Sequence, residues 1–445
     1  MMNGLFGTDG IRGEAGVYPV TAEIAEGLGR AVVEVLGRGN AAKVLIGRDT
    51  RESGLSLETG LVKGLMARGA EVIKLGVVPT PALASFIGEL GADAAVMITA
   101  SHNPFSDNGM KVFGPSGYKL DDIFERRIEK ILLEEGGDGG VIEEGVVRDF
   151  PEGIESYVRM ATGSVKGLDL GGLKVVLDAG NGAAFEVAPR IFRELGADVI
   201  AMAIEPDGKN INECCGAVHA AVAGRLVMEH GADLGISLDG DADRVVFTTA
   251  DGAVLSGDRV LAIGALGLKA KDRLRHDAMV ATVMSNLGLD EALRNRGIKV
   301  LRAAVGDRQV LEMMKSEDLC FGGENSGHLI FSDYATTGDG IMSALQVCRL
   351  MREEGKTLAE LASVMDEYPS VLMNLPVREK VPIETLPGLK AMISEAEEAF
   401  GRDGRQLIRY SGTESKIRVL VEHRDAAVVD EWIGKFKQMI SEELG

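Results

Sequence analysis

Cysteine is scarce in this chain, basic residues are outnumbered, and no long apolar run occurs. Four cysteines in 445 residues form no Cys-x-x-Cys pair: Cys214 and Cys215 are adjacent, and Cys320 and Cys348 stand apart. That usage excludes a disulfide framework or a cysteine zinc site and suits a reducing compartment. Lys and Arg number 48 against 68 Asp and Glu, for a net charge of −20. Such a surface repels nucleic acid and anionic lipid, so neither is expected as a partner. No apolar stretch approaches the roughly 18 residues of a membrane-spanning helix. The start MMNGLFGTDG lacks both the basic and the apolar region of a signal peptide, so a cytoplasmic protein is expected. An acidic protein that binds an anionic substrate must gather its positive groups locally, and that condition constrains every candidate site.

What is present is an ordinary globular composition, 45% hydrophobic with mean hydropathy +0.08, in a chain long enough for roughly two to four domains. One phrase recurs: LMARGAEVIKLG, FIGELGADAAVMI, FRELGADVIAMA, MEHGADLGISL and LRNRGIKVLRA each join a helical stretch, a glycine and an apolar strand. Glycine just past a helix end supplies a left-handed residue that other side chains resist. The strands are continuously apolar, which indicates helices on both faces and largely parallel α/β layers up to about residue 365. Seams are expected in the acid- and glycine-rich 134–153, at 161–172 and near DGAVLSGD (251–258). After Pro369 the pattern turns to antiparallel strands with helices at about 385–400 and 425–443. The expectation is α/β, with domains at 1–153, 154–254, 255–367 and 368–445, the last a smaller α+β unit.

Several strand tips carry polar residues. The buried run AAVMITA (94–100) gives way to Ser101, His102 and Asn103-Pro104, at the end of a strand where open α/β sheets hold ligands. Ser101 is either a turn residue or a reactive hydroxyl. It lacks the G-x-S-x-G elbow of hydrolases, and His102 is a poor base because neighbours on extended chain point opposite ways. Lys111, beyond a DNG turn, could return across a hairpin to this point. In SLDGDADRVV (237–246), Asp239, Asp241 and Asp243 alternate, so in extended chain all three project to one side. Two carboxylates about 4 Å apart repel by roughly 4 kcal/mol at an effective dielectric near 20. The motif is either an exposed acidic turn or a cation site. Arg244 at the sixth position and Ala250 at the twelfth exclude a calcium EF-hand, whereas magnesium with a phosphate nearby fits. GGENSGH (322–328) offers Glu324, Ser326 and His328 to sugar hydroxyls. RYSGTESKIR (409–418) is a hairpin or, through its turn N–H groups and Arg409 and Arg418, an anion site.

In order, FGTDGIRG (6–13), TASHNP with DNGMK, DGDADR, GENSGH and RYSGTE with Arg418 resemble the α-D-phosphohexomutase superfamily. FGTDGIRG, TVMSNLG (282–288) and VGDRQV (305–310) are most similar to its branch acting on glucosamine phosphates. The resemblance implies four domains around a central cleft, three of them related mixed α/β units. It implies interconversion of glucosamine 6-phosphate and glucosamine 1-phosphate through a hexose 1,6-bisphosphate, which also serves as activator. Ser101 would be the phosphorylated serine; Asp239, Asp241 and Asp243 would bind Mg²⁺ together with an oxygen on Ser101. Lys111, Arg12 and His328 would assist proton transfer or stabilise the moving group. Glu324 and Ser326 would hold sugar hydroxyls, Arg409, Ser411, Gly412, Thr413 and Arg418 the other phosphate, and Arg244 and Arg308 would add positive charge. Asn325, Tyr410 and Gln309 depart from the common pattern, which keeps a phosphomannomutase/phosphoglucomutase of broad specificity as the alternative, and then a sugar-phosphate phosphatase or a non-catalytic sensor. A homodimer stays open.

Overall fold

Runs such as AAVMI, KVVLD and LGISL show no alternation of polar and apolar side chains, and each becomes an interior strand with its residues almost wholly buried. The computed structural model describes residues 5–7, 9–37, 42–134, 145–411 and 415–445. The chain divides into two compact units, Met1–Met284 with Ile298–Val364, and Ser285–Gly297 with Met365–Gly445.

The first unit holds three sheets. One contains β1 (Ile11–Glu14), β2 (Lys43–Arg48), β3 (Glu71–Val77), β4 (Ala94–Ile98), β5 (Asp107–Phe113) and β6 (Val146–Asp149), in the order β1-β5-β4-β2-β3-β6. Helices α1 (Ala22–Leu36), α2 (Gly54–Met66), α3 (Thr80–Leu90) and α4 (Asp122–Glu134) accompany it. Helices α1 and α2 touch backbone to backbone: a Cβ on Gly64 would lie 1.9 Å from the Glu26 carbonyl oxygen, and one on Gly60 2.2 Å from that of Ala22. The second sheet, β10-β9-β7-β8, comprises β7 (Lys174–Asp178), β8 (Asp198–Met202), β9 (Leu234–Leu238) and β10 (Val245–Thr249). It lies with α5 (Gly153–Ser164), α6 (Val187–Glu194) and α7 (Ala221–His230). The third, β12-β11-β13-β14, comprises β11 (Ala278–Thr282), β12 (Lys299–Ala303), β13 (Phe321–Gly323) and β14 (Leu329–Phe331). Of the helices that follow, α8 (Gly257–Ala270), α10 (Asp307–Ser316), α11 (Gly340–Glu354) and α12 (Leu358–Ala362) belong to this unit, and α9 (Leu287–Arg294) to the other.

Each of these sheets is parallel at its centre and ends in an antiparallel return: β4 to β5, β9 to β10 and β13 to β14. The expected parallel layers therefore hold, with one reversed strand or more per sheet. The DNG triplet is not the turn: β5 already begins at Asp107, and the turn lies before it. Among the described residues no helix is long and apolar enough to cross a membrane.

The second unit has a three-stranded antiparallel sheet, with β17 (Lys416–His423) between β15 (Ser370–Pro376) and β16 (Gly404–Tyr410). Helices α13 (Pro387–Phe400) and α14 (Ala426–Leu444) cover one face. Trp432 packs edge-on to Phe400 at 5.3 Å between ring centres, and Ile417, Val419 and Val421 point into this core. Their neighbours Arg418 and Leu420 therefore face the other way.

Candidate active site

Ser101 stands three residues past β4, 1% exposed, with φ +52°. Its Oγ donates to Asp239 Oδ2 at 2.5 Å, and its N–H donates to Thr99 Oγ1 at 2.9 Å. Because Ser101 is left-handed rather than extended, His102 does not point away: its Nδ1 lies 3.3 Å from Ser101 Oγ. That overturns the geometric reason for dismissing it. Burial, with Arg244 and Arg12 nearby, lowers the His102 pKa to about 4.

The three aspartates converge for a different reason than alternation. Residues 239–244 form a turn, with Ala242 at φ +58°, and one oxygen of each carboxylate lies within 4.8 Å of the others. Asp239 Oδ1 accepts from Arg244 N at 3.0 Å. Asp241 Oδ2 accepts from Thr80 Oγ1 at 2.6 Å and from Lys111 Nζ at 2.8 Å, and Asp243 Oδ2 from Lys111 Nζ at 3.2 Å. The second oxygens of Asp241 and Asp243 are buried with no hydrogen-bond partner. Three buried carboxylates with oxygens this close together, two of them keeping an oxygen without a hydrogen bond, are donors for a hard divalent cation, and the set fits Mg²⁺. Burial and the charges of Asp243 and Asp241 hold the Asp239 carboxyl well above the usual range. Burial also acts on Asp243, but Lys111, His328 and Arg244 outweigh it and hold its pKa well below.

The basic groups gather at the same place. Lys111 sits in β5 opposite Met97, the antiparallel return expected of it. Burial disfavours its charge, yet Asp241, Asp243 and Asp9 together keep it an ammonium well above its ordinary range. Arg12, in β1 opposite Gly109, pairs with Asp9. Lys119 links Asp9 to Asp307. His328 stands between Asp243 (Nδ1, 3.7 Å) and Asp307 (Nε2, 3.8 Å), and its Nε2 accepts from Gly338 N at 3.1 Å. Glu324, 9% exposed, accepts from Gly306 N at 3.1 Å, and Ser326 is exposed. Arg244 Nε lies 3.8 Å from Asp243 Oδ1. Arg308 is placed elsewhere: its guanidinium is bound to Asp122, Glu125 and the Leu120 carbonyl, outside the Ser101 cluster.

In the second unit Arg409 and Arg418 are directly opposite on β16 and β17. Burial and the charge of Arg418 lower the Arg409 pKa. Arg418 Nη2 reaches Ser411 Oγ at 3.4 Å. Gly412 and Thr413 lie outside the described residues.

Sequence reasoning passed over several residues that meet this cluster: Asp9, Asp49, Arg51, Thr80, Lys119, Asn212 and Asp307. One signal was available. IGRDTR (46–51) repeats the design of the Ser101 segment, a buried strand running into polar residues at its tip.

Family models for phosphoglucomutase/phosphomannomutase match domain I at residues 3–137, domain II at 154–252, domain III at 256–368 and the C-terminal domain at 372–438. The chain belongs to the phosphoglucomutase/phosphomannomutase family. Relatives named phosphoglucosamine mutase include one from Geotalea daltonii, 45% identical over 100% of this chain and 99% of its own length. Another, from Anaeromyxobacter dehalogenans, is 47% identical over 96% of each chain. A phosphoglucomutase/phosphomannomutase family protein from Burkholderia thailandensis shares the fold, with TM-score 0.81 over 98% of this chain and 97% of that one at 24% identity.

Proposed function

We propose that this member of the phosphoglucomutase/phosphomannomutase family is an isomerase that interconverts glucosamine 6-phosphate and glucosamine 1-phosphate. The relatives named phosphoglucosamine mutase, 45–47% identical over nearly the whole chain, support the substrate. The observation that carries the chemistry is Ser101 Oγ delivered by a left-handed residue onto the aspartate cluster, 2.5 Å from Asp239. Residues 1–153, 154–254, 255–367 and 368–445 would each supply one loop.

Ser101 as a phosphoserine gives its phosphoryl group to a sugar hydroxyl: the Oγ–P bond breaks, an O–P bond to the sugar forms, the hydroxyl proton ends on Ser101 Oγ, and a hexose 1,6-bisphosphate results. The reverse step at the other end of the sugar restores the phosphoserine. Asp239, Asp241 and Asp243 would hold Mg²⁺ with an oxygen of the phosphoserine, and the ion would offset charge on the moving group. Lys111, an ammonium among its three carboxylates, would stabilise that group or donate a proton in the transfer. Arg12 and His328 complete the basic set around it, with Arg244 adding charge. Glu324 and Ser326 would hold sugar hydroxyls. Arg409, Arg418 and Ser411, with Gly412 and Thr413, would hold the phosphate that stays. Arg308, committed to Asp122 and Glu125, would brace this region rather than touch substrate. The free, mostly buried cysteines agree with a cytoplasmic setting.

The test is an assay of hexose or hexosamine 1-phosphate formation run beside free phosphate release, on glucosamine, glucose and mannose 6-phosphates. Fastest turnover on glucosamine 6-phosphate without phosphate release is expected; release at the rate of turnover would make the protein a phosphatase. Incubation with glucose 1,6-bisphosphate should add about 80 Da to the wild type, the mass of one phosphoryl group on Ser101, and nothing to Ser101→Ala.

A further inference from the structure

The turn that presents Ser101 is held by two side chains that take no part in the proposed chemistry. Arg51 is fully buried, and all five of its guanidinium N–H groups are used. Nε donates to Asp49 Oδ2 at 2.9 Å. Nη1 donates to the carbonyls of Pro104 and, at 2.9 Å, Asp107; Nη2 donates to those of Ser101 at 3.0 Å and Asn103 at 2.8 Å. Four carbonyls of one seven-residue turn thus point inward at a single cation. Asp49 fixes that cation from behind, accepting also from Arg51 N and from Thr99 Oγ1, which in turn accepts from Ser101 N.

Asn212 approaches from the second sheet's side. Its Nδ2 donates to the same two carbonyls, Ser101 at 2.9 Å and Asn103 at 3.1 Å. Asn212 is itself left-handed, 6% exposed, and tied by its N–H to the Gly180 carbonyl. The Ser101 carbonyl is therefore gripped from two sides. Gly240 closes the third, since a Cβ there would lie 2.5 Å from that same oxygen.

We propose that Arg51 and Asn212 are positioning residues that hold Ser101 in its left-handed conformation and so aim Oγ at the aspartate cluster; the inference rests on the phosphoserine reading of that site. Neither residue needs to touch sugar or phosphate. Their loss should cost the transfer step and leave sugar binding nearly intact, because a misplacement of about 1 Å at a reacting atom slows chemistry by as much as a hundredfold.

The experiment uses full-length Asn212→Ala, Asn212→Asp and Arg51→Lys. Asparagine to aspartate keeps the shape and removes the donor, so it separates hydrogen bonding from packing. Three quantities are measured: kcat and KM on glucosamine 6-phosphate, the rate at which Ser101 takes phosphate from glucose 1,6-bisphosphate, and deuterium uptake of the 99–108 peptide. For folded Asn212 variants a fall of about tenfold or more in kcat and in the labelling rate is expected, with KM within about threefold. Faster exchange is expected in 99–108, with the rest of the chain unchanged. Arg51→Lys, which retains the charge but not the fork, should be worse still. Unchanged kcat or unchanged loop exchange in the folded Asn212 variants would overturn the proposal. If wild type itself takes no phosphate on Ser101, the phosphoserine reading fails; the exchange data then still decide whether the two residues hold the turn.

Discussion

Ser101 sits in a backbone region that costs a non-glycine residue about 1–3 kcal/mol, offset by the charge-assisted bond from Arg51 and the amide bond from Asn212 to its carbonyl. The same economy governs Asp241, whose buried carboxylate accepts from Thr80 and Lys111 and keeps one oxygen without a partner. Asp241→Asn removes the charge of a proposed Mg²⁺ ligand, and the Mg²⁺ concentration for half-maximal activity should rise by at least about tenfold; activity of chelated wild type equal to that of the Mg²⁺-supplied enzyme would overturn the metal assignment. Asp339 offers a test of stability instead. It caps α11 through Met342 N at 2.9 Å and accepts from Tyr157 OH at 2.9 Å with both oxygens, yet burial raises its pKa to about 6. A carboxyl whose folded pKa is raised favours the folded state when protonated. Its contribution is full below the ordinary value of 3.8 and is lost as pH rises through about 6, about 3 kcal/mol in all. Asp339→Asn keeps the cap acceptor and cannot ionise. Its unfolding midpoint, in urea titrations from pH 4 to 7, should gain on that of wild type as pH rises; parallel curves would refute the raised pKa. Which residues met at the site was only partly legible. Ser101, Lys111 and the aspartates could be read because each sits at a strand tip or in a dense motif. Arg51 and Asn212 could not, because the four carbonyls they bind belong to the main chain and leave no mark on side-chain identity.

The hairpin return is the element that unites the fold with the site. Ser101 lies between β4 and β5, the aspartates between β9 and β10, Glu324 to His328 between β13 and β14, and Ser411 between β16 and β17. The apolar runs and helix-ending glycines made the strands and most helices legible: helices expected at about 385–400 and 425–443 are Pro387–Phe400 and Ala426–Leu444. Turn geometry was less so. Alternation suggested an extended DGDADR and a turn at DNG, whereas the left-handed Ala242 curls the first and pairing with β1 straightens the second. Helix contact was illegible for another reason, since a glycine inside a helix looks like a propensity defect of about 1 kcal/mol. In α2 it is a requirement of the packing. Gly64→Ala would improve propensity but push a methyl into the Glu26 carbonyl, and overpacking of this kind costs about 1–3 kcal/mol. Gly88 in α3 has nothing within 4 Å of its would-be Cβ. Thermal scans should therefore show Gly64→Ala lowered and Gly88→Ala unchanged or raised; equal shifts would mean that α1 and α2 do not meet at Gly64.

At the scale of the whole molecule, a net charge of −20 opposes any sugar phosphate, so attraction has to come from local groups. In the first unit Lys111, Lys119 and Arg12 lie against Asp9, Asp241, Asp243 and Asp307. In the second unit two guanidinium groups stand opposite each other on neighbouring strands, where like charges destabilise unless an anion joins them. The proposed role of Arg409 and Arg418 is an anion clamp for the phosphate that stays. A clamp engaged equally in the ground and transition states contributes uniform binding, so losing it raises KM more than it lowers kcat. Hydrogen bonds to a charged phosphate are worth roughly 1.5–3 kcal/mol, which predicts an increase of about ten- to a hundredfold in KM for Arg418→Ala on glucosamine 6-phosphate. Ser101 should still take phosphate from saturating glucose 1,6-bisphosphate in this variant, and the bisphosphate should escape into solution more often per turnover. Steady-state kinetics, intact mass and quantified bisphosphate in the medium measure the three effects on one preparation. A fall in kcat at unchanged KM would place Arg418 in the transfer step itself, and no change in any of the three would leave β16 and β17 as a plain hairpin.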